Sequence, residues 1–407
     1  MRVVHIIPSV NRKDGGPTTA LLGLASTQVM AGMAVEVLTT FRADDSNAMV
    51  QVFESRGVRM RTVGPVRGKL GQHPDLDAAV EESVARADVV HIHAVWEEIL
   101  HKAAQAAQRQ QVPYIVRPCG MLDPWSLKRW RIFKKGLLTW RIRKNLNQAM
   151  ALHCTSDTEL AGIRQLGLQT KFIVEPNGID LAEFETLPER GVFASQYPQL
   201  IGRPFVLFFS RIHPKKGLDV LIPAFAKVAY IASLANWMLV LSGPDGNGYG
   251  AAVRRMVRHH GLKERVLFTG MLTDGQRIAA LRDASLFVLP SRQENFGLAV
   301  VEALAASTPV IISDQVNIHC DITTAAAGEV VKLSEQALAD ALQRWMSDQQ
   351  RRHEAGQRGR TFALERYDWR NIAQAWWRHY SALPQRGKFG GASISTVARS
   401  SHARHSG

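Results

Sequence analysis

Cysteine is scarce in this chain of 407 residues. There are three, Cys119, Cys154 and Cys320, and they lie far apart. An odd number of widely spaced cysteines excludes a small secreted domain held together by disulfides. A reducing compartment is the simplest setting for such a chain, so we expect a cytoplasmic protein.

Long apolar runs are also missing. The longest mostly apolar stretch, residues 228–241, contains Ser233 and Asn236 and is shorter than the ~18 uninterrupted residues that a membrane-spanning helix needs. The apolar run after Met1 is too short, and too soon followed by polar residues, to be a signal peptide. Apolar residues make up 46% and charged residues 21%, which is ordinary globular usage and excludes a disordered chain or a fibre.

Acidic residues are outnumbered, with 36 Asp and Glu against 50 Lys and Arg, and the formal net charge is +14. Such an excess indicates a polyanionic partner, which could be nucleic acid, anionic lipid or a phosphorylated ligand. No recognised nucleic-acid motif accompanies the charge, so we expect no nucleic-acid partner. The tail, residues 385–407, is rich in Gly and Ser with scattered Arg and His, and its composition predicts disorder.

The charge is concentrated in residues 126–144, where eight Lys and Arg fall within seventeen positions and alternate with apolar side chains. One interpretation is docking to an anionic membrane surface, where each basic residue contributes roughly 1 kcal/mol. The other is a solvated helix whose Trp130 and Trp140 pack in the core. The sequence leaves both open.

Short apolar runs alternate with helical patterns along both halves of the chain. Residues 2–7, 35–40, 58–63, 88–93, 114–116, 151–155 and 171–174 are strand-like in the first half, and residues 205–209, 238–242, 266–269, 286–289, 310–313 and 329–331 in the second. This order predicts an α/β fold with two doubly wound, mostly parallel sheets joined near residues 175–204. Ligands should bind in the cleft between the domains, at the carboxyl ends of the strands.

One motif follows the run at 286–289 and opens a helix. Three backbone N–H groups would lie free at the helix start, those of Phe296, Gly297 and Leu298, and they suit an anion such as a diphosphate. Glu294 precedes the helix and Glu302 lies inside it, on an otherwise apolar face. A buried carboxylate there needs a partner, and a ribose diol is one. The alternative is that Glu294 is a solvated loop acid and Glu302 pairs with a neighbouring arginine.

A second motif follows the run at 205–209. The loop carries Arg211 and Lys216, which could point at one anion in the cleft. Two cations there would stabilise a departing nucleoside diphosphate, whose negative charge grows as the sugar bond breaks. The alternative is an ordinary basic loop.

Together these motifs resemble the retaining glycosyltransferases of family 4. The resemblance rests on two acids separated by seven residues, Glu294 and Glu302, around Asn295-Phe296-Gly297-Leu298, and on an Arg-x4-Lys-Gly element. It implies the GT-B fold, in which two Rossmann-like domains face each other across a cleft. Its expected divisions are an acceptor-side domain (1–185), a linker (186–204), a nucleotide-sugar donor domain (205–365), a helix crossing back to the first domain (366–384) and a disordered basic tail (385–407).

The resemblance also implies roles for single residues. Glu294 would contact the transferred sugar and Glu302 the ribose, with Asn295 beside them. Arg211 and Lys216 would bind the diphosphate, and Met271 lies in a loop that contacts the nucleotide base in the family. Gly15 and Gly16 form a glycine-rich loop against the donor phosphates or the acceptor; taken alone, they could be only a tight turn.

Two residues are candidates on the acceptor side. His93 belongs to a strand with paired histidines, His91 and His93, for which a structural role is the stronger interpretation, and no nearby Cys or acid completes a metal site. Cys119 stands where related sequences often carry a histidine near the reacting sugar. It could be a thiol in the cleft or a small packing residue.

The resemblance predicts a retaining hexosyltransferase without metal or cofactor. It would move a sugar from a nucleotide-diphosphate sugar to a glycan or lipid-linked acceptor in polysaccharide biosynthesis, in the cytoplasm or peripherally on the inner membrane face. The alternatives are another GT-B enzyme, such as a nucleotide-sugar epimerase, and an inactive homologue that still binds nucleotide sugars.

Overall fold

A computed structural model describes residues 1–11, 15–123, 126, 141–245 and 248–387. Most of the basic segment, residues 127–140, lies outside the described residues, as do Asp14 and the tail from residue 388 onward. The helices that are described include none long and apolar enough to cross a membrane.

The first domain is built on a seven-stranded parallel sheet in the order β3-β2-β1-β4-β5-β6-β7. Its strands are β1 (Arg2–Ile7), β2 (Ala34–Thr40), β3 (Arg59–Val63), β4 (Val89–His93), β5 (Tyr114–Arg117), β6 (Ala151–Cys154) and β7 (Phe172–Val174). Every residue of β4, β5 and β6 is buried, as expected for central strands covered on both faces.

Helices cover both faces of this sheet. They are α1 (Gly16–Met30), α2 (Ala48–Ser55), α3 (Leu76–Ala85), α4 (Glu98–Arg109), α5 (Arg143–Gln148) and α6 (Asp157–Arg164). Apolar residues of α3 and α4 form one core with one face of the sheet, while α1 packs on the other face. This two-faced packing explains why the strand sequences are continuously apolar rather than alternating.

The second domain has a six-stranded parallel sheet in the order β10-β9-β8-β11-β12-β13. Its strands are β8 (Phe205–Phe209), β9 (Met238–Ser242), β10 (Val266–Gly270), β11 (Leu286–Leu289), β12 (Val310–Ser313) and β13 (Gly328–Val331). The helices are α7 (Ala182–Glu185), α8 (Leu218–Ala229), α9 (Tyr249–His259), α10 (Asp274–Asp283), α11 (Leu298–Ala305), α12 (His319–Thr324), α13 (Glu335–Ser347) and α14 (Gln349–Arg366). The predicted two-domain, doubly wound fold is therefore confirmed.

The last described helix, α15 (Trp369–Ser381), packs on the first domain although it follows the second in sequence. Trp369, Ile372, Trp376 and Tyr380 are buried against the same face of the first sheet as α1. The core of the first domain is thus completed by the end of the chain, which ties the two domains together.

The second domain begins earlier in the chain than the division at residue 185 that we expected from the sequence. Ile179, Leu181 and Phe184 belong to the core of the second domain. Packing therefore divides the chain closer to Gly178. The reason is that these apolar side chains find their partners in the second core, which a local polar composition does not reveal.

Candidate active site

Two loops of the second domain meet at the edge that faces the first domain. They follow β8 and β11, which pair in parallel, so their carboxyl ends lie side by side. The backbone N–H of Arg292 donates to the carbonyl of Lys215 at 2.8 Å. Gly217 has φ +73°, and a Cβ there would lie 1.9 Å from the Pro290 carbonyl oxygen. Only glycine allows the loops to pack this closely.

Lys216 and Glu294, predicted as site residues from separate motifs, are in direct contact. The Lys216 ammonium donates to the Glu294 carboxylate, and the two side chains are only 9% and 20% exposed. Backbone bonds hold Glu294 in place, because its N–H donates to the Gln315 carbonyl and its own carbonyl accepts from Asn317, each at 3.0 Å. The fold therefore brings a cation and a carboxylate together at the cleft edge.

Glu302 lies on α11 and pairs with an arginine from α10. Its Oε1 is 2.6 Å from the Arg277 guanidinium, and both side chains are nearly buried. Arg277 also pairs with Glu183. Burial raises the pKa of Glu302, and Arg277 opposes that rise. This is the arginine pairing that the sequence left open as the alternative to ribose binding.

The start of α11 carries the free amides that the sequence predicted. Gly297 precedes the helix with φ +87° and no side chain caps it. Within the described part of the chain, no protein acceptor takes the amides of Phe296, Gly297 or Leu298. The Phe296 ring is buried and packs edge-on against Tyr367, so this residue offers the cleft its amide only. These N–H groups suit an anion.

The other residues predicted to contact the nucleotide sugar are more exposed to solvent. Arg211 follows β8 and is exposed, and its side chain has no hydrogen bond or ion pair among the described residues. Met271 follows β10 and is 63% exposed. Gly15, with φ +70°, and Gly16 begin α1, and no described atom lies within 4 Å of a Cβ added to either. Space for a ligand therefore remains beside both glycines.

Sequence reasoning did not single out Lys215 and Asp123, which lie close to this site. Burial lowers the pKa of Lys215 to about 8, and Glu294 opposes part of that shift. Asp123 follows β5 of the first domain and is 6% exposed. Burial, reinforced by the Glu159 carboxylate, raises the pKa of Asp123 to about 6. Their approach depends on how the domains meet, which no local spacing encodes.

Cys119 takes a strained position at the end of β5. Its φ is +55°, which is uncommon for a residue with a Cβ. Burial raises the pKa of its thiol, so it is a poor nucleophile at neutral pH. The next residue, Gly120, donates its N–H to the buried Glu159 carboxylate at 3.1 Å. Glu159, also missed by sequence reasoning, therefore supports the loop that faces the second domain.

His93 belongs to a buried cluster rather than to the open cleft. Four histidines lie on the sheet face covered by α1 and α15, namely His5, His91, His93 and His153. The sequence pointed only to the pair on β4. The other two come from β1, which pairs directly with β4, and from β6, which lies two strands away in the same sheet.

Hydrogen-bond partners determine the tautomers in one half of the cluster. His153 Nε2 lies 2.8 Å from the Glu175 carbonyl and must donate to it. Its Nδ1 therefore holds a lone pair and accepts from His91 Nε2 at 3.3 Å. His91 Nδ1 is then an acceptor too, and the Tyr380 hydroxyl of α15 donates to it at 2.8 Å.

The other half follows by the same reasoning. Gln28 Nε2 donates to the Tyr380 oxygen at 3.3 Å, and its Oε1 accepts from His5 Nε2 at 2.7 Å. His5 Nδ1 therefore accepts from His93 Nε2 at 2.9 Å. His5, His91 and His153 each use both ring nitrogens as neutral rings, and His93 donates through Nε2.

Three of these rings could also present nitrogen atoms to one metal ion. Among the described residues, His5, His91 and His93 have ligand atoms within 4.8 Å of one another. In the neutral arrangement both ring nitrogens of His5 and of His91 are engaged in hydrogen bonds, as is Nε2 of His93. The hydrogen-bonded network of these rings fastens α15 to the first domain through Tyr380.

We expect this network to make the protein sensitive to acid. Burial lowers the pKa of His5 to about 4 and of His91, His93 and His153 well below 6.5, and the Arg117 guanidinium adds to the lowering. The unfolded chain binds these protons near pH 6.5 and the folded one does not. The histidines therefore do not reduce the free energy of unfolding above pH 6.5. Below that pH the free energy of unfolding falls as the pH drops toward 4, by up to about 1.4 kcal/mol per pH unit for each histidine.

Thermal melting from pH 7.5 to 5 would measure this effect. His5→Gln removes one site that takes up a proton only in the unfolded chain, so it should flatten the dependence of Tm on pH. His353 on α14 is exposed, and His353→Gln should leave that dependence unchanged. Equal slopes in all three proteins would contradict the assigned network.

Comparisons with known families cover both domains. A family model described as glycosyl transferase 4-like domain matches residues 15–178, and one described as glycosyl transferases group 1 matches residues 196–362. The two matches correspond to the two sheets.

Two curated relatives match along nearly their whole length. The phosphatidyl-myo-inositol mannosyltransferase of Mycobacterium leprae is 30% identical over 95% of this chain and 98% of its own. The GDP-mannose:cellobiosyl-diphosphopolyprenol alpha-mannosyltransferase of Xanthomonas campestris is 24% identical over 94% of this chain and 97% of its own. Other matches are partial, since the chain spans 47% of the D-inositol 3-phosphate glycosyltransferase of Nocardia farcinica, at 31% identity over 51% of this chain.

Solved structures agree on the fold. The crystal structure of HepE from Anabaena in complex with UDP and glucose superposes with a TM-score of 0.75 at 22% identity, over 94% of this chain and all of that one. The chain therefore belongs to the group 1 glycosyltransferases, the family 4 type, and has their GT-B fold.

Proposed function

We propose that this glycosyltransferase is a retaining enzyme that needs no metal ion. It would transfer a hexose from a nucleotide-diphosphate sugar to a glycan or a lipid-linked acceptor. The observation that carries the proposal is the contact between Lys216 and Glu294, 78 residues apart, beside the free amides that begin α11. A diphosphate at that helix start would have its sugar next to Glu294.

The proposed chemistry uses these groups as follows. The acceptor hydroxyl forms the new bond to the anomeric carbon on the face from which the phosphate leaves. The bond between that carbon and the phosphate oxygen breaks, and the acceptor proton passes to that oxygen. Negative charge grows on the diphosphate during this step. Lys216 and Arg211 would stabilise it, supplying the positive charge that a metal ion supplies elsewhere.

Lys216 can serve both partners at once. Its ammonium has three N–H groups, so it can keep its bond to Glu294 while donating to a phosphate oxygen. The near burial of the pair strengthens these charge interactions relative to water. Glu294 would accept from a sugar hydroxyl, which orients the anomeric carbon toward the acceptor.

Glu302 would still bind the ribose in this proposal. Arg277 takes its Oε1, and the other oxygen has no hydrogen-bond partner among the residues that the structure describes. A single carboxylate oxygen can accept from a ribose hydroxyl. Arg277 would then hold Glu302 in position for the ribose, rather than occupy the carboxylate in place of the ribose.

The proposed function is tested by assaying the purified protein with GDP-, UDP- and ADP-hexoses. GDP-mannose comes first, because relatives matched along nearly their whole length are named as mannosyltransferases. Transfer in the presence of a chelator, with the anomeric configuration of the donor kept in the product, supports the proposal. Inversion, a requirement for metal, or nucleotide binding without transfer would each contradict it.

We also propose peripheral docking to anionic membranes through the basic residues 126–144, most of which lie outside the described part of the structure. Binding to vesicles containing phosphatidylglycerol should fall as salt rises, because salt screens exposed charges. Replacing Lys128, Arg129 and Arg131 with Glu should weaken it by about 3 kcal/mol or more. Equal binding to neutral phosphatidylcholine vesicles would contradict this docking mode.

A further inference from the structure

Both neighbours of Glu294 in sequence bond to the other domain. Gln293 Nε2 donates to the Asp123 carboxylate, 170 residues away. Asn295 Nδ2 donates to the Thr155 hydroxyl at 3.3 Å, 140 residues away. Glu294 is thus flanked on both sides by contacts that cross the cleft between the domains.

The backbone geometry explains why the side chain of Glu294 points away from those of its two neighbours. Glu294 forms a single parallel β-bridge with Val316, so the chain is extended there. Neighbouring side chains on extended backbone point to opposite sides. Gln293 and Asn295 accordingly face the first domain, and Glu294 faces Lys216 of its own domain.

The first domain holds its side of these contacts firmly. The buried Glu159 accepts from the Thr155 N–H at 2.7 Å and from the Thr155 hydroxyl at 2.8 Å. The Thr155 hydroxyl has one proton, and Glu159 at 2.8 Å is a much nearer acceptor for it than the Asn295 carbonyl at 3.5 Å. The Thr155 oxygen is then left to accept from Asn295 Nδ2. The acceptor for Asn295 is therefore fixed in direction.

The approach of the two domains is also shaped sterically. Gly120, which Glu159 holds through its N–H, has φ +70°. A Cβ at this position would lie 2.8 Å from the Cβ of Asn295. A larger residue at position 120 would hold the domains apart at this point.

The side-chain amides of Gln293 and Asn295 each have an acceptor oxygen without a partner among the described residues. These oxygens, Gln293 Oε1 and Asn295 Oδ1, are buried. Buried acceptors are normally paired, so each unpaired one calls for an explanation, and a catalytic role is one of them. A sugar hydroxyl could bond to them, so substrate binding would favour the arrangement in which the domains meet.

We propose that the Gln293–Asp123 and Asn295–Thr155 contacts form a closure latch that positions Glu294 when the two domains close on substrate. Thr155 and Asp123 are positioning residues, since they act on Glu294 through Asn295 and Gln293. The inference rests on the proposed function. It adds that the first domain, beyond binding the acceptor, sets the geometry of the donor site.

Matched substitutions at Thr155 test the latch. Thr155→Val keeps the shape and loses the hydroxyl, whereas Thr155→Ser keeps the hydroxyl. We expect Thr155→Val and Gln293→Ala to lower kcat about 10- to 100-fold through misplacement of Glu294. Thr155→Ser should keep kcat near that of the unchanged protein, and the Kd for GDP or UDP should stay within about twofold because the diphosphate contacts are intact.

Solution scattering gives a readout that does not depend on activity. With a saturating nucleoside diphosphate, the radius of gyration should be larger in Thr155→Val and Gln293→Ala than in the unchanged protein and Thr155→Ser. A loss of kcat without this expansion, or no change in either quantity, would overturn the latch. If the unchanged protein has no transferase activity but the expansion is seen, the latch stands and the proposed function fails.

A thermal melt of each variant, at one pH, shows whether a loss of kcat comes from the latch or from misfolding.

A double variant tests whether Gln293 and Asp123 act through their shared contact. Because the two side chains bond to each other, Gln293→Ala/Asp123→Ala should lose no more kcat than the worse single variant. Losses that multiply would mean that the two residues act independently, which contradicts a shared contact.

Discussion

Lys216→Ala is expected to lower kcat for sugar transfer by about 100- to 1,000-fold while the protein stays folded. The loss of one preorganised charge that stabilises a developing anion has effects of this size. Lys216 lies at the cleft edge, nearly buried, where its interaction with a diphosphate is poorly screened by water. Initial rates at saturating donor, with an unfolding curve for each protein, measure both parts of the expectation.

Lys227→Ala is the matched control for that experiment. Lys227 lies on α8 of the same domain and pairs with Glu335 at 2.9 Å, but both side chains are close to half exposed. Exposed pairs contribute little. The control should therefore keep its activity. A Lys216→Ala protein with nearly unchanged kcat would mean that the diphosphate binds elsewhere.

The second large effect is expected at Glu294. Glu294→Gln keeps the shape of the side chain and removes its charge, and we expect a loss of about 100-fold or more in kcat, since the sugar would lose an oriented charged acceptor. Donor binding should be less affected, because the proposed contacts of the diphosphate with Lys216 and Arg211 would remain.

Glu335→Gln provides the corresponding control, as the exposed acid of the same type of ion pair. Single-turnover rates and the donor Kd should be measured for both variants. If Glu294→Gln weakens donor binding by the same factor as it lowers kcat/KM, with kcat unchanged, Glu294 serves uniform binding rather than the chemical step.

Glu302 shows where sequence reasoning reaches its limit. Its position in an apolar helix predicted a partner, and the structure supplies Arg277 from the preceding helix. That helix begins with a capping box in which Thr273 and Gln276 bond to each other's backbone, and Arg277 follows directly. The capping signal is local, but the approach of Arg277 to Glu302 depends on how α10 and α11 pack.

Cys119 illustrates the same limit in the first domain. The sequence showed a departure from the histidine that related chains often carry, with either a reactive or a packing role. The structure places Cys119 beside Ala94 and Arg117 on strained backbone, with burial raising the pKa of its thiol. A packing role accords with this environment, because a neutral, partly buried thiol behaves as a small apolar group.

The sequence by itself determined the alternation of strands and helices, the two parallel sheets and the loops that carry Arg211, Lys216 and Glu294. These features follow from local periodicity and from the rule that parallel strands end at one edge of a sheet. Only the tertiary structure decided that His5 and His153 join the pair on β4, that Glu302 meets Arg277, and that Gln293 and Asn295 reach across to the first domain. Those contacts join residues far apart in the chain, and their distances depend on how whole helices and domains pack, which no short stretch of sequence specifies.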